Sequence, residues 1–281
     1  FGTSDYAAEK PLLDQIEALF EVYRLTEDEA ERARIYHQID SISYIASDFF
    51  IPNEYDKLMS LIGAKGTNAY TSTDMTVYVE DIPSNQIENW ARIEADRFAN
   101  PVIRGFHTEL ETVYEEKNMS LTNDFRKALE AMDGMLFPDH PYGTQTVLGT
   151  QEHLKNPSII NIKNYHKTYY VPNNMAICMS GDFDPDEMVA VIEKHFGQLQ
   201  PSSDLPELKL ETRTSLSSPA SREVYGLEAE NLLMGWKYPG AGTREALVAD
   251  VVSYILYNGS AGLIDLNINQ KQTALGAYGM S

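Results

Sequence analysis

The hydrophobic period of this chain changes between residues 63 and 67, and that change limits the architectures open to it. Before it, apolar residues recur at helical spacing: Leu12, Leu13, Ile16, Leu19, Phe20 and Tyr23 form one stripe. Thr26 followed by Glu29 reads as a capping box for a second helix with Ile35, Ile39 and Ile42 on one face. Asn53 is placed to cap a third helix through Tyr55, Leu58, Met59 and Ile62, which Gly63 stops. A helical hairpin plus a core helix is expected over residues 11–63. Residues 67–82 are instead rich in Thr, Tyr and Val, and their end alternates as strands do.

Helical patterns then return. Ser84 reads as the cap of a helix carrying Ile87, Trp90, Ala91, Ala95 and Phe98, and a further helix is expected over about 104–122. Gly134, Pro138, Pro141, Gly143 and Gly149 mark a mostly looped stretch. Asn156-Pro157 opens a helix, and Asn174 to Ser180 reads as a short apolar strand. Asp184-Pro185-Asp186-Glu187 combines an N-cap, an N1 proline and an N3 glutamate, and Gly197 ends that helix. A polar, Ser/Pro-rich stretch follows, with Ser215 through Ser221 at its end. Beyond it Asn231 to Trp236 is a strand candidate and Glu245 to Leu256 a helix candidate. Strands alternating with helices predict an α/β or α+β sandwich, with helices packed on one side of a sheet. The expected division is a first domain over 1–200, a linker over 201–222, and the beginning of a second domain over 223–281. One strand and one helix in that last piece cannot close a core.

The 281 residues carry 22 Lys and Arg against 42 Asp and Glu, a formal charge of −20. Such a surface repels phosphate backbones and anionic membranes, so nucleic acid is not expected as a partner. No stretch has the uninterrupted apolar length of a membrane helix. Phe1-Gly2-Thr3-Ser4-Asp5 has no basic flank followed by an apolar run, so no signal peptide is expected there. Without an initiator Met at its start, the chain is expected to be a processed product or a fragment. The single cysteine, Cys178, lies in the apolar run 175–179 and is expected to be a buried, inert thiol.

Chemistry concentrates in His107-Thr108-Glu109-Leu110-Glu111-Thr112-Val113-Tyr114-Glu115-Glu116-Lys117-Asn118. Residues seven apart lie about 20° from eclipsed on a helix. Glu109 and Glu116 therefore share a face, as do Phe106 and Val113 beside them. Carboxylates on an apolar face need a cation or hydrogen-bond donors. The residues alone leave two explanations open: a bound cation, or an acidic helix whose glutamates all lie at the solvent edge. A self-contained zinc site is absent from the sequence. His37, His107, His140, His153, His166 and His195 include no two within one helical turn, and neither HExxH nor HxxEH occurs. There is no G-x-S-x-G elbow, Walker loop or G-x-G-x-x-G fingerprint.

Glu109-x6-Glu116, with Val113 between, resembles the third-ligand helix of pitrilysin/insulinase-type zinc metallopeptidases, the inverzincins. Thr67-Asn68-Ala69-Tyr70-Thr71 followed by Thr76-x-Tyr78 is similar to that family's substrate-pairing edge strand. His140-Pro141-Tyr142-Gly143, Gly149-Thr150, Tyr170-x-Pro172-x-Asn174-Met175 and Gly181-Asp182 resemble further landmarks in the same order, as do Gly235-Trp236-x-x-Pro239 and Asn258-Gly259-Ser260 in a second domain. The resemblance spans about 50–281. It implies an α/β domain of the pitrilysin and mitochondrial-processing-peptidase kind, with helices on a mostly antiparallel sheet, plus the start of a similar second domain. It implies Glu116 as a Zn2+ ligand in the parent protein, with the adjacent Glu115 as the competing register. Glu109 becomes the acidic residue that supports the catalytic site, and Asn68, Ala69, Tyr70 and Thr71 become the substrate-binding strand. The family's HxxEH helix would precede Phe1, because Gly2-Thr3 resembles the segment after it, and residues 11–50 resemble an inserted helical pair. The implied activity is zinc-dependent endoproteolysis of peptides or unfolded segments, with this piece alone inactive and weak in zinc binding. The implied partners are peptide substrates and a second family domain or subunit, and the family analogy points to the periplasm or cell envelope. Two other readings stand beside it: a non-catalytic structural or partner subunit, and a plain peptide-binding module that uses the edge strand alone.

Overall fold

The computed structural model describes residues 1–207, 216 and 218–281. In chain order the helices α1 (Tyr6–Leu25), α2 (Glu29–Ser47) and α3 (Glu54–Leu61) precede the strands β1 (Lys65–Thr71) and β2 (Thr76–Asp81). Then come α4 (Ile87–Ala99), α5 (Phe106–Ser120), α6 (Asp124–Leu136), α7 (Pro141–Thr144), α8 (Gln151–Lys155), α9 (Ile159–Tyr169), α10 (Pro185–Phe196) and α11 (Arg244–Leu256). The chain divides into two compact units, one of residues 1–122 and 145–209, the other of residues 123–144 and 210–281.

The first unit is built around the α1–α2 hairpin. Asp5 caps α1 by accepting the Ala8 N–H, and Asp28 caps α2 by accepting the Glu31 N–H at 2.8 Å. The capping box expected at Thr26 does not form. Thr26 instead closes α1, its N–H reaching the Tyr23 carbonyl and its hydroxyl donating to the Val22 carbonyl at 2.8 Å. Ile16 and Phe20 of α1 and Ile35, Ile39 and Ala46 of α2 are buried together with Ile159 of α9. Phe106 and Leu110 of α5 pack against that cluster. Burial of this stripe is what drives the helices together, because isolated helices of this length are marginal in water.

Asn53 stands at the start of α3 in the left-handed region, and its side chain makes no capping bond. Gly63, with φ +82°, ends the helix as expected. β1 and β2 form an antiparallel hairpin with Asn68 opposite Val79, Tyr70 opposite Val77 and Thr71 opposite Thr76. The Ser72 N–H to Met75 carbonyl bond of 2.8 Å closes the turn. α4 carries Trp90 towards Phe196 of α10, and Lys194 of α10 pairs with Glu88. The ends expected for other helices move by a residue or two: Ser158 caps α9 rather than Asn156, and a 3-10 turn at Ser84–Gln86 leads into α4.

Residues 175–180 form no strand. No neighbouring strand offers them a ladder among the described residues, and an extended segment without a partner leaves its backbone groups to solvent. Cys178 within that segment is exposed, so the buried thiol expected from its apolar neighbours does not occur.

In the second unit Asn123 caps α6 by accepting the Arg126 N–H. Asp124 receives the backbone N–H groups of Leu227 and Glu228 at 2.5 and 2.8 Å. Its bond to Lys127, helped by those backbone donors, holds its carboxyl below the usual range. Asp265 is buried and accepts the N–H groups of Asn258 and Gly262. The strand expected at 231–236 is absent for the same reason as the first, while the expected helix is present as α11. α11 buries none of its residues, and Leu247, Val251 and Tyr254 lie open on it. The expected linker falls partly on residues 208–215 and 217, which lie outside the described residues.

Candidate active site

α5 begins at Gly105, whose φ of +58° favours a residue without a side chain, with the Phe50 ring 3.9 Å from where a Cβ would stand. Its buried line runs through Phe106, Leu110 and Lys117, and Phe106 meets Phe20 edge-on at 5.1 Å. Glu109 lies three residues on from Phe106, which turns it about 60° off that line. Glu109 and Glu116 consequently share an exposed face, and neither joins an ion pair among the described residues. Of the two explanations left open by the residues, the solvent edge describes where both carboxylates lie, beside the apolar line and not on it.

Glu111 and Glu115 are also exposed, but Glu111 is not idle. Its Oε1 accepts the Tyr36 hydroxyl of α2 at 2.9 Å. His107, one turn earlier, places Nε2 at 3.5 Å from Asp40 and 4.0 Å from Glu111, with its ring 4.7 Å from that of Tyr36. Its Nδ1 is buried without a hydrogen-bond partner. Glu115 accepts a long 3.4 Å bond from Asn118.

Three of the other five histidines are engaged elsewhere. His140 is buried and its Nδ1 accepts the Tyr142 N–H. His166 stacks on Tyr170 at 4.5 Å, and burial pushes its imidazole down. His195 lies 3.4 Å from Glu88. Among the described residues no three His, Cys, Asp or Glu side chains are grouped to hold a metal. A zinc centre of three protein ligands therefore does not fit the side chains of the described residues.

β1 pairs with β2 along one edge, and its other edge meets no strand among the described residues. Asn68, Ala69, Tyr70 and Thr71 are all exposed. No hydrogen bond or ion pair joins them to Glu109 or Glu116. A cleft of about 530 Å³ lined by Tyr78, Arg97, Phe98, Arg104 and His166, among others, contains none of these candidate residues.

The sequence gives little notice of the α2 contribution. Tyr36 and Asp40 follow the core residues Ile35 and Ile39 by one position each, so they flank the buried stripe; only the partner helix decides what they touch.

Residues 160–281 match the family model described as the peptidase M16 inactive domain. The zinc protease PqqE of Helicobacter pylori is 22% identical over 255 residues, covering 86% of this chain and 55% of that protein. An uncharacterised zinc protease of Mycobacterium leprae is 27% identical over 197 residues, covering 68% of this chain and 44% of its own length. A probable mitochondrial-processing peptidase subunit beta of Schizosaccharomyces pombe is 29% identical over 140 residues, 49% of this chain and 30% of that one. The chain thus spans about half the length of the first two relatives. Among solved structures, a protease from Helicobacter pylori superposes with a TM-score of 0.65 at 19% identity, over 78% of this chain and 54% of that one. That likeness establishes the α/β fold of these proteases, in which this chain contributes many helices and a small antiparallel sheet. The chain is thus similar to zinc proteases of the pitrilysin/insulinase type, and the matching family model covers its residues 160–281.

Proposed function

We propose that this chain is part of a zinc-dependent metalloendopeptidase acting on peptides or unfolded polypeptide segments. Glu116 is a ligand of Zn2+ in the full-length protein, Glu109 supports the site from the same helix face, and Asn68 to Thr71 receive the substrate as an added strand. The observation that carries this reading is the pair of exposed carboxylates on α5, unpaired among the described residues, on a helix whose neighbouring face is fixed in the core. Exposed carboxylates are ordinary on a helix surface, and what supports a ligand role for this pair is its match in spacing to the third-ligand helix that Glu109-x6-Glu116 resembles. The remaining metal ligands come from outside this chain, and the chain alone is inactive. The division into a peptidase-like domain over 1–200, a linker over 201–222 and the start of a second domain over 223–281 belongs to the same proposal.

The test is made in the full-length protein. Glu116→Gln is expected to remove bound zinc and to lower kcat by at least about 100-fold, since losing a direct metal ligand is no milder than the outer-shell losses of 10–100-fold. Glu115→Gln is expected to stay within about twofold, as surface changes do. Zinc content and activity retained in Glu116→Gln but lost in Glu115→Gln would move the ligand by one residue; retention in both would remove α5 from the site. A second reading, a non-catalytic partner subunit, is favoured by one observation: the matching family model describes an inactive domain.

A further inference from the structure

The α1–α2 hairpin touches α5 at both ends, and the two grips are of different kinds. At the start of α5 the contact is direct. Phe106 and Leu110 enter the hairpin core, while the Tyr36 hydroxyl donates to Glu111 at 2.9 Å. At the end of α5 the contact runs through α8. Gln151 of α8 donates to Asn118 at 2.7 Å, and the Lys155 ammonium stands 5.8 Å over the Tyr114 ring. α8 is in turn held by Arg32 of α2. The Arg32 guanidinium donates to Asn156 Oδ1 at 2.9 Å and the Lys155 carbonyl at 3.4 Å, and to the Tyr23 and Thr26 carbonyls at 2.8 and 3.1 Å. It also lies 3.9 Å over the Tyr23 ring.

Apolar burial is non-directional, so the Phe106 and Leu110 contacts decide which side of α5 faces the hairpin but set its exact rotation and axial position only loosely. Hydrogen bonds are directional, and a slip of one residue turns a helix by about 100° and moves it about 1.5 Å along its axis. Such a slip breaks the Tyr36 bond at one end and the Gln151 bond at the other. It would also present Glu115 or Lys117 where Glu116 stands.

We propose that Arg32 and Tyr36 are positioning residues: they fix the rotation and axial register of α5 and so hold Glu109 and Glu116 in place for the metal site. This rests on the reading of α5 given above. The Tyr36 bond is exposed at its rim and adds little to stability, so its effect is on geometry.

The experiment uses Tyr36→Phe, which deletes one hydroxyl, and Arg32→Lys, which keeps the charge and loses the fork. Ser41→Ala, on the exposed side of α2, is the control. In this chain, residue-resolved amide hydrogen exchange is expected to rise about three- to tenfold across α5 in both variants, as the loss of one hydrogen bond allows. Exchange in α4 and α10 is expected to match the control. In the full-length protein both variants are expected to weaken zinc binding and lower kcat about three- to tenfold with KM unchanged, Tyr36→Phe at a melting temperature close to that of the control. α5 exchange equal to the control overturns the proposal. So does raised exchange with zinc affinity and kcat at wild-type values while Glu116→Gln loses both. If Glu116→Gln itself keeps zinc and activity, the metal reading fails instead, and the exchange measurement alone decides whether the hairpin locks α5.

Discussion

At the scale of single residues, the first unit holds two carboxylates against one tyrosine hydroxyl. The Tyr55 oxygen lies 2.6 Å from Glu80 Oε1 and 2.7 Å from Glu94 Oε1, and Glu80 also accepts the Trp90 indole N–H. The single Tyr55 hydroxyl is therefore shared between two carboxylates, and Glu94 is additionally paired with Arg97 at 2.6 Å. Burial pushes the Glu94 carboxyl up, opposed by the Arg97 guanidinium beside it. A carboxyl whose folded pKa is raised contributes stability that is complete below its unfolded value, near 4.3, and is lost as pH rises through the folded value. The melting temperature of the wild type is therefore expected to fall, through this group, as pH climbs above the ordinary carboxylate range. Glu94→Gln, whose amide can donate to Tyr55 at any pH, is expected to flatten that part of the profile. Thermal melts of both proteins across pH 4 to 8 check it, and parallel profiles would show that Glu94 stays ionised when folded.

At the scale of elements, what the sequence reveals follows from how local the cause is. Asp184 with Pro185 caps α10 as read, because every group involved lies within four residues. α2 is read correctly from its apolar stripe, but its cap is not: Asp28 and Thr26 both carry a suitable oxygen, and the α1 terminus takes Thr26. Strands fare worse, since a strand exists only where a second one pairs with it, and residues 175–180 and 231–236 have none among the described residues. The glutamate face was legible as a spacing of seven; its angle to the core was not, because Phe106 and Leu110 choose the buried line by what they meet in α1 and α2. For β1 the consequence is testable. Successive backbone N–H groups of a strand point to opposite edges, so of Ala69→Pro and Tyr70→Pro one removes a donor facing β2 and the other a donor facing the open edge. One variant is expected to keep its circular dichroism and lose binding of extended peptides or self-association; the other is expected to lose the hairpin. Two folded variants that bind and associate as the wild type does would remove the edge strand from the substrate site.

At the scale of the whole molecule, a formal charge of −20 and an open pair of α5 carboxylates make two different claims on a cation. The first is diffuse. Exposed carboxylates concentrate any divalent ion near the surface, and that attraction fades once salt shortens the screening length to about 8 Å at physiological ionic strength. The second is local, and two glutamates on one helix face fall short of the three protein ligands that zinc centres usually use. With no further His, Cys, Asp or Glu grouped beside them among the described residues, geometry adds nothing to hold a dehydrated ion. Zinc titrated into this chain by calorimetry is expected to show weak, multiple binding at low salt that vanishes near 0.15 M salt. Glu116→Ala is expected to leave that signal unchanged, and added zinc is expected to produce no cleavage of an unfolded peptide. Supplying the missing ligands on a separate polypeptide carrying His-x-x-Glu-His is expected to convert the same Glu116 into a residue whose loss abolishes tight zinc binding. Salt-resistant, one-to-one zinc on this chain alone, removed by Glu116→Ala, would mean that the metal site is complete without a second segment.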